Sequence, residues 1–398
     1  MKFESYRISE LIEEIAMGPF GSNIKVECFV DNGIPVLNGS NLDGITLKDG
    51  SFRYITEEKA ESLKRANAHR GDIVITHRGT LGQIVYIPRN SKYDRYVISQ
   101  SQFRIRCNEK VLPEYLVYYF HTPIGQAKLL SNASQVGVPA LARPSTTFQQ
   151  IEVELPNLSI QKKTIGILRS IDDKIELNNK INENLEKQAQ AFYQELFINN
   201  ADVEWPQGTI SDLGIVVGGS TPSKSKPEYY TENGIAWITP KDLSTNKSKF
   251  ISHGKNDITE LGLKSSSATI MPKGTVLFSS RAPIGYIAIA AGEAATNQGF
   301  KSVIPKPEIG TAFVYYFLKH NLPVIEGMAS GSTFKEISGS TMKNVPAVIP
   351  DIDTLKQFNN FCVPIFAQQQ FLEKQNSSLT KLRDTILPKL MSSDITVG

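Results

Sequence analysis

The stretch RGDIVITHRGTLGQIVYI (70–87) returns later in the chain as KGTVLFSSRAPIGYIAIA (273–290). Gly71 falls opposite Gly274, Arg78 opposite Arg281 and Gly82 opposite Gly285, at a constant offset of 203. Other fragments return in the same order. ISEL (8–11) matches ISDL (210–213), and DNGIPVLNGSNL (31–42) matches ENGIAWITPKDL (232–243). YYF recurs at 118–120 and 315–317, and LPNLSIQKKTIGIL (155–168) matches IPDIDTLKQFNNFC (349–362) at an offset of 194. A repeat this extensive means one structural plan used twice. The slow drift in offset is what small loop insertions and deletions produce.

Each copy closes on a long helical pattern. In the first, Leu168, Ile171, Ile175, Asn178, Asn182, Leu185, Ala189, Phe192 and Leu196 fall on alternating steps of three and four. The same template picks out Cys362, Ile365, Gln369, Leu372, Asn376, Leu379, Arg383, Ile386 and Leu390 in the second. These are the seam positions of a coiled coil, with Asn182 and Asn376 as polar residues that fix register. Forty helical residues (159–198) would reach about 60 Å. A helix that long with a mixed seam needs a partner, and the second helix is the equivalent one. An antiparallel pairing would put two globular modules at opposite ends of a rod, related by a pseudo-two-fold. Pro364 and Pro388 are expected to bend or end the second helix.

The expected organisation is a module at 1–157, a spacer helix at 158–200, a module at 201–352, a spacer helix at 353–391 and a tail at 392–398. Short alternating strands (34–37, 73–76, 84–87, 102–105) adjoin helical runs at 56–66 and 113–122, so each module reads as α+β. About 150 residues suffice for such a module to fold alone. Hydrophobic residues at 40% and charged residues at 21% are those of a soluble globular protein. No signal peptide or membrane-spanning stretch is present. Cys28, Cys107 and Cys362 are isolated, which suits a reducing cytoplasm and small core residues rather than zinc or disulfides.

Catalytic signatures are missing. There is no phosphate-binding glycine loop, no dinucleotide fingerprint, no metal-ligand spacing among the five histidines, and no Asn-Pro-Pro-aromatic stretch. His77 has Ser280 as its counterpart, which argues against a duplicated catalytic histidine. Asp172-Asp173-Lys174 reads as a solvated helix face. Only residues 205–350 lean basic, with 14 Lys and Arg against 10 Asp and Glu.

Loop chemistry is more informative. Arg78 and Arg281 stand among small residues at the turn of a repeated hairpin. Such an arginine can hold guanine through O6 and N7, clamp a phosphate, or simply form an ion pair that supports the turn. GPFGS (18–22) aligns with GGSTPS (218–223), NGSN (38–41) with TPKD (239–242), and SQSQ (99–102) with TNQG (296–299). Asn and Gln can read adenine, and Ser, Thr and Lys can hold phosphates; all are also ordinary turn residues. The candidate DNA contacts are Ser22, Asn38, Ser40, Asn41, Arg78, Thr80, Gln100 and Gln102 in the first module. In the second they are Thr221, Ser223, Lys241, Arg281 and Gln298. Equivalent loops with different side chains are expected of two readers of different sequences.

GPFGSNIK with NGIPVLNGSNL, GGSTPSK with NGIAWITPKDL, the two arginine hairpins and the two closing helices together resemble the specificity subunit of type I restriction–modification systems. The resemblance spans nearly the whole chain, twice. It implies two target recognition domains, each reading half of a bipartite, asymmetric site in double-stranded DNA. The helices would form an antiparallel coiled coil that acts as a ruler and docks two modification (methyltransferase) subunits, with restriction subunits added where present. The chain itself would be non-catalytic and bind no cofactor; S-adenosylmethionine, ATP and Mg would sit on the partners. With the first domain opening the chain, all rod contacts fall on 159–198 and 354–391. The alternatives are specificity for a single fused restriction–methylation enzyme, or a scaffold that touches no DNA.

Overall fold

A computed structural model describes residues 3–134, 137–331 and 335–392. Its described residues group into two compact units, one within 1–174 together with 379–398, the other within 175–378. Residues 393–398 of the expected tail lie outside the described set.

In the first unit, Ile73, Val74 and Ile75 form a continuous apolar run with no solvent exposure, which marks a strand covered on both faces. The central sheet comprises β1 (Ile12–Met17), β2 (Ile73–Thr76), β3 (Ile84–Tyr86) and β4 (Gln102–Cys107), in the antiparallel order β1-β4-β2-β3. Alternate side chains feed two cores. Ile73, Ile75 and Ile84 pack beneath helix α1 (Pro113–His121). Val74, Val85 and Ile87 pack against a second sheet, of five short strands, that carries Val36, Ile55 and Val97. Each such side chain contributes about 1.5–3 kcal/mol on burial.

Helix α2 spans Leu158–Gln194 and runs into a π-turn at Glu195–Asn199. The second unit then repeats the plan. Its sheet holds β5 (Gly214–Gly218), β6 (Phe250–Ile251), β7 (Val276–Ser280), β8 (Ile284–Ala290) and β9 (Lys301–Pro305), in the order β5-β9-β7-β8-β6. Val276, Phe278 and Ile289 face helix α3 (Thr311–His320), whereas Leu277, Ala288 and Ala290 face the other core. The short parallel contact Val36–Val97 recurs as Trp237–Ala295. The added edge strand β6 corresponds to a single parallel bridge, Thr46–Tyr86, in the first unit.

Helix α4 (Ile352–Met391) passes through both Pro364 and Pro388 without ending. Of the two expected outcomes, a bend or an end, the helix does not end at either proline. Pro364 and Asn360, whose carbonyl it leaves free, are both exposed, so water can take the hydrogen bond that the helix loses. Within the second unit, contacts between the long helices run in opposite chain directions. Asn178 meets Asn376 (2.7 Å), Gln369 reaches the Asn182 carbonyl (3.2 Å), and Phe192 packs at a tilt on Phe361 (centroids 4.6 Å apart). The pairing is therefore antiparallel. Ile365 and Leu372 are buried there, and Ile175, Asn182, Leu185, Phe192 and Asn376 are half-buried. In the first unit, Leu168 and Ile171 are buried, and Leu379 and Ile386 half-buried.

Asp172 is no free solvated carboxylate. It accepts from Tyr118 (2.6 Å) and from Arg383 (2.9 Å), tying α1, α2 and α4 together. The second unit places a buried lysine in the corresponding region between head and helices. Lys249 donates to Gln369 (2.7 Å) and Tyr316 (3.2 Å), pairs with Glu186, and lies over the ring of Phe366 (4.3 Å). Burial pulls its ammonium below the ordinary lysine range, with Glu186 opposing. Burial alone would raise the Glu186 carboxyl, but Lys249 and Lys319 overcome it and hold its pKa at about 2.

The cores also differ in charge. Fully buried Asp72 accepts from Arg106 (2.8 Å), from Arg104 (3.3 Å) and from the His69 amide (2.9 Å). The same positions of the second unit hold Thr275 and Ser302, both buried. Cys28 and Cys107 are half-buried and Cys362 is buried; burial pushes the thiols of Cys107 and Cys362 up to about 12.

Two outcomes follow. Asp72→Asn removes the negative charge that pairs with two guanidinium groups and should cost about 3–5 kcal/mol; urea unfolding that shows less than 1 kcal/mol would contradict this account. For Glu186, the folded pKa lies below the unfolded value of 4.5. Its contribution is thus complete above pH 4.5 and disappears as pH falls toward 2. The stability gap between wild type and Glu186→Gln should close over that window in denaturation measured at successive pH values.

Candidate nucleic-acid interface

Four loops meet at one end of the second unit's sheet. The Ser220 amide bonds to the Thr296 carbonyl (2.9 Å), the Asn297 amide to Ile238 (3.0 Å) and the Ser280 amide to Gly299 (2.8 Å). Gly219 permits the first of these: a Cβ there would stand 2.0 Å from the Asn297 carbonyl oxygen. The loops enclose an open cleft of about 1090 Å³, whose walls include Thr221, Lys241, Arg281 and Gln298. Residues far apart in sequence, singled out for their chemistry, thus share one surface. Ser223 does not line the cleft; it is exposed and its hydroxyl meets that of Ser225.

The cleft is cationic for a local reason. Lys224, Lys241 and Lys255 are exposed at its walls, while the one carboxylate in the lining, Asp242, is already engaged. Asp242 accepts from the Thr239 amide (2.8 Å), the Thr239 hydroxyl (2.6 Å) and the Lys255 amide (2.9 Å). His253, held by buried Asp257 (3.0 Å), adds an imidazole at the edge. Arg281 pairs with Glu336 (3.4 Å) and is part-buried. Thr221 donates to the side-chain carbonyl oxygen of Gln298, an exposed residue of the lining.

The first unit assembles its loops in the same way. The His77 amide bonds to Ser101 (2.8 Å), and Gln83 donates to the Gly39 carbonyl (2.9 Å), fastening the arginine turn to the 38–41 loop. A Cβ on Gly21 would stand 2.2 Å from Gln100 Oε1. Burial keeps the His77 imidazole below the usual histidine range, so it is neutral at pH 7. Arg78 and Thr80 are exposed, and Arg78 has no side-chain ion pair among the described residues. The two repeated arginines therefore differ: one is tethered, one is free. Gly82 and Gly285 make both turns possible, with φ of +88° and +95°, a region that disfavours any side chain.

Not every candidate faces outward. Asn41 and Gln102 are each 1% exposed. Asn41 accepts from the Asn38 amide (3.0 Å) and Gln102 from the Ser99 amide (2.9 Å). Both side chains build loops instead of presenting groups to a ligand. Asn38 and Ser40 remain exposed, with the Asn38 oxygen accepting from the Ser40 amide (2.8 Å), and Gln100 is exposed. The side chain of Ser22 lies outside the described set. Sequence reading missed Gln83, Lys224, Lys255 and His253. The basic bias of 205–350 was the only signal pointing toward the lysines. Among the described residues, no group of three or more His, Cys, Asp or Glu is placed to hold a metal ion, and no helix is long and apolar enough to cross a membrane.

A family model for the type I restriction modification DNA specificity domain matches residues 2–187 and again 202–380. The chain is 39% identical over 191 residues to the specificity subunit of the type I restriction enzyme MjaIX from Methanocaldococcus jannaschii. That alignment covers 46% of this chain and 44% of the relative. It is 24% identical to the HindI specificity subunit of Haemophilus influenzae, over 82% of this chain and 87% of that one. The solved S subunit of a type I restriction-modification system from M. genitalium aligns over 99% of this chain and 97% of that one. The TM-score is 0.63 at 17% identity, a likeness of fold.

The division between exposed and buried loop residues is testable. Asn41→Ala and Gln102→Ala each remove a buried side-chain acceptor from a part-buried amide, and should destabilise by about 1–3 kcal/mol. Gln100→Ala, at an exposed site, should stay within about 0.5 kcal/mol of wild type in thermal unfolding.

Proposed function

Because this chain belongs to the type I restriction–modification DNA specificity family, we propose that its two units each read one half of a bipartite, asymmetric site in double-stranded DNA. As a specificity subunit it is non-catalytic. Methylation and cleavage then fall to partner subunits, which would hold the S-adenosylmethionine, ATP and Mg. The observation that carries the reading is the convergence of Thr221, Lys241, Arg281 and Gln298 on one cationic cleft, matched by converging loops around Arg78 in the first unit. Exposed lysines supply sequence-independent affinity through phosphates. Arg78 and Gln298 are the groups suited to base edges, and Arg281 can turn to DNA only by sharing its pairing with Glu336. Asn38, Ser40, Thr80 and Gln100 complete the first reading edge, with Ser22 assigned from sequence.

The recognition domains are assigned to 1–157 and 201–352 and the spacers to 158–200 and 353–391. The long helices dock two modification subunits. Supporting this, exposed apolar residues recur along them at the repeat's own offset of 194: Leu158 with Ile352, Ile167 with Phe361, and Leu177 with Phe371. Large apolar side chains left in water on a helix mark a surface that another protein covers, and its duplication fits two copies of one partner. Restriction subunits join that core where present. Helix length then sets the unread gap between half-sites.

Methylome sequencing of cells carrying this chain and its modification subunit is expected to return a split, asymmetric motif. Arg78→Ala should relax one half and Arg281→Ala the other, and a duplicated heptad in both helices should lengthen the gap while leaving the half-sites unaltered. A continuous or palindromic motif, or a gap indifferent to the added heptads, contradicts the proposal.

A further inference from the structure

Phe20 is the most exposed phenylalanine among the described residues, at 83%, and it is apolar where its neighbours at this edge are polar. It stands in Gly18-Pro19-Phe20-Gly21, the loop that leaves β1. The main chain of this loop is held on both sides. The Gly18 amide donates to the Gln102 carbonyl (2.8 Å), and the Asn23 amide donates to the carbonyl of Phe20 itself (2.8 Å). A Cβ on Gly18 would stand 1.9 Å from the Ser99 carbonyl oxygen, so the loop is pressed against the turn that precedes β4. Pro19 restricts its own φ, and Phe20 is extended, with φ −60° and ψ 145°. An aromatic ring is thus presented to water from a braced backbone, next to the loop of Gln100.

A ring in that position gains free energy when something apolar covers it. Its neighbours on the reading edge, Gln100, Asn38 and Arg78, are exposed polar groups suited to nucleic acid. On a DNA duplex, an extended apolar surface becomes available when neighbouring bases part. The geometry points to Phe20 as a wedge that enters between adjacent bases of the half-site read by the first unit and unstacks one step there. This rests on the reading of the two units as DNA readers and adds to it a readout by deformation. Pyrimidine–purine steps part most easily, so the wedge favours half-sites that contain one at the right place, with no hydrogen bond to report it. The corresponding loop of the second unit carries Ser220 and Thr221. The Ser220 carbonyl accepts from Trp237 (3.0 Å) and the Thr221 hydroxyl is spent on Gln298. The deformation is therefore confined to one half-site.

The test uses the full chain assembled with its modification subunits, on duplexes of the mapped target. Each duplex carries 2-aminopurine at one position, avoiding the methylated adenines. Wild type is expected to raise the fluorescence several-fold at one step, in one half-site only. Phe20→Ala should abolish that rise and weaken binding by roughly ten- to a hundredfold, with an unchanged Tm because the residue is exposed. Phe20→Leu, which keeps an apolar wedge, should retain most of the rise. Sequence-specific binding with the same fluorescence in wild type and Phe20→Ala overturns the wedge alone. A wild-type complex without preference for the mapped target overturns the DNA-reading function, and the wedge with it.

Discussion

A helix with no solvent face has to be covered from two sides, and that demand organises both halves of this protein. In α1, every residue from Tyr115 to Phe120 is buried, and in α3 every residue from Ala312 to Leu318. The central sheet covers one side. The long helices cover the other, through Ile165, Leu168, Leu387 and Leu390 in the first unit and through Tyr193, Phe197 and Phe358 in the second. The heads are thus fused to the helices by core packing. The candidate interface loops stand at the edge of the same sheet, so the core that covers the helix also joins them to the long helices.

Polar contacts within that apolar junction supply its directionality. Hydrophobic burial is roughly indifferent to orientation, whereas the Asn178–Asn376 bond and the Gln369–Asn182 contact form only in one register. Lys249 belongs to the same set, because Gln369 and Glu186, its partners on opposite helices, meet at one ammonium group. Removing such a charge's partner is costly, and this makes misaligned pairings unfavourable.

Much of the architecture was legible in the residues. The ordered, slowly drifting offsets revealed the repeat, the three–four spacing located both seams, and the loop alignments brought together positions that do converge in space. What escaped reading depended on partners distant in sequence or on local satisfaction of the backbone. Asn41 and Gln102 look like base readers and are buried acceptors for amides a few residues away. Arg281 looks equivalent to Arg78 until Glu336, on a different segment, is placed beside it. Lys249 counts toward a basic surface in any tally of charge, yet it is caged by aromatic rings. Pro364 breaks a helix on paper but sits where solvent can stand in for the lost bond.

The first unit is closed by residues 379–391, which a ribosome makes only after all of the second unit. At roughly 5–20 residues per second, Ile165, Leu168 and Asp172 wait on the order of 10–40 s for Leu387, Leu390 and Arg383. A transcript cut short within the second unit would thus leave the earlier domain with an uncovered apolar flank, fit for a chaperone or a protease and not for assembly. The order of synthesis places the clasp of the first half after the whole of the second unit, so a nascent chain gains that closure only once both heads have been made.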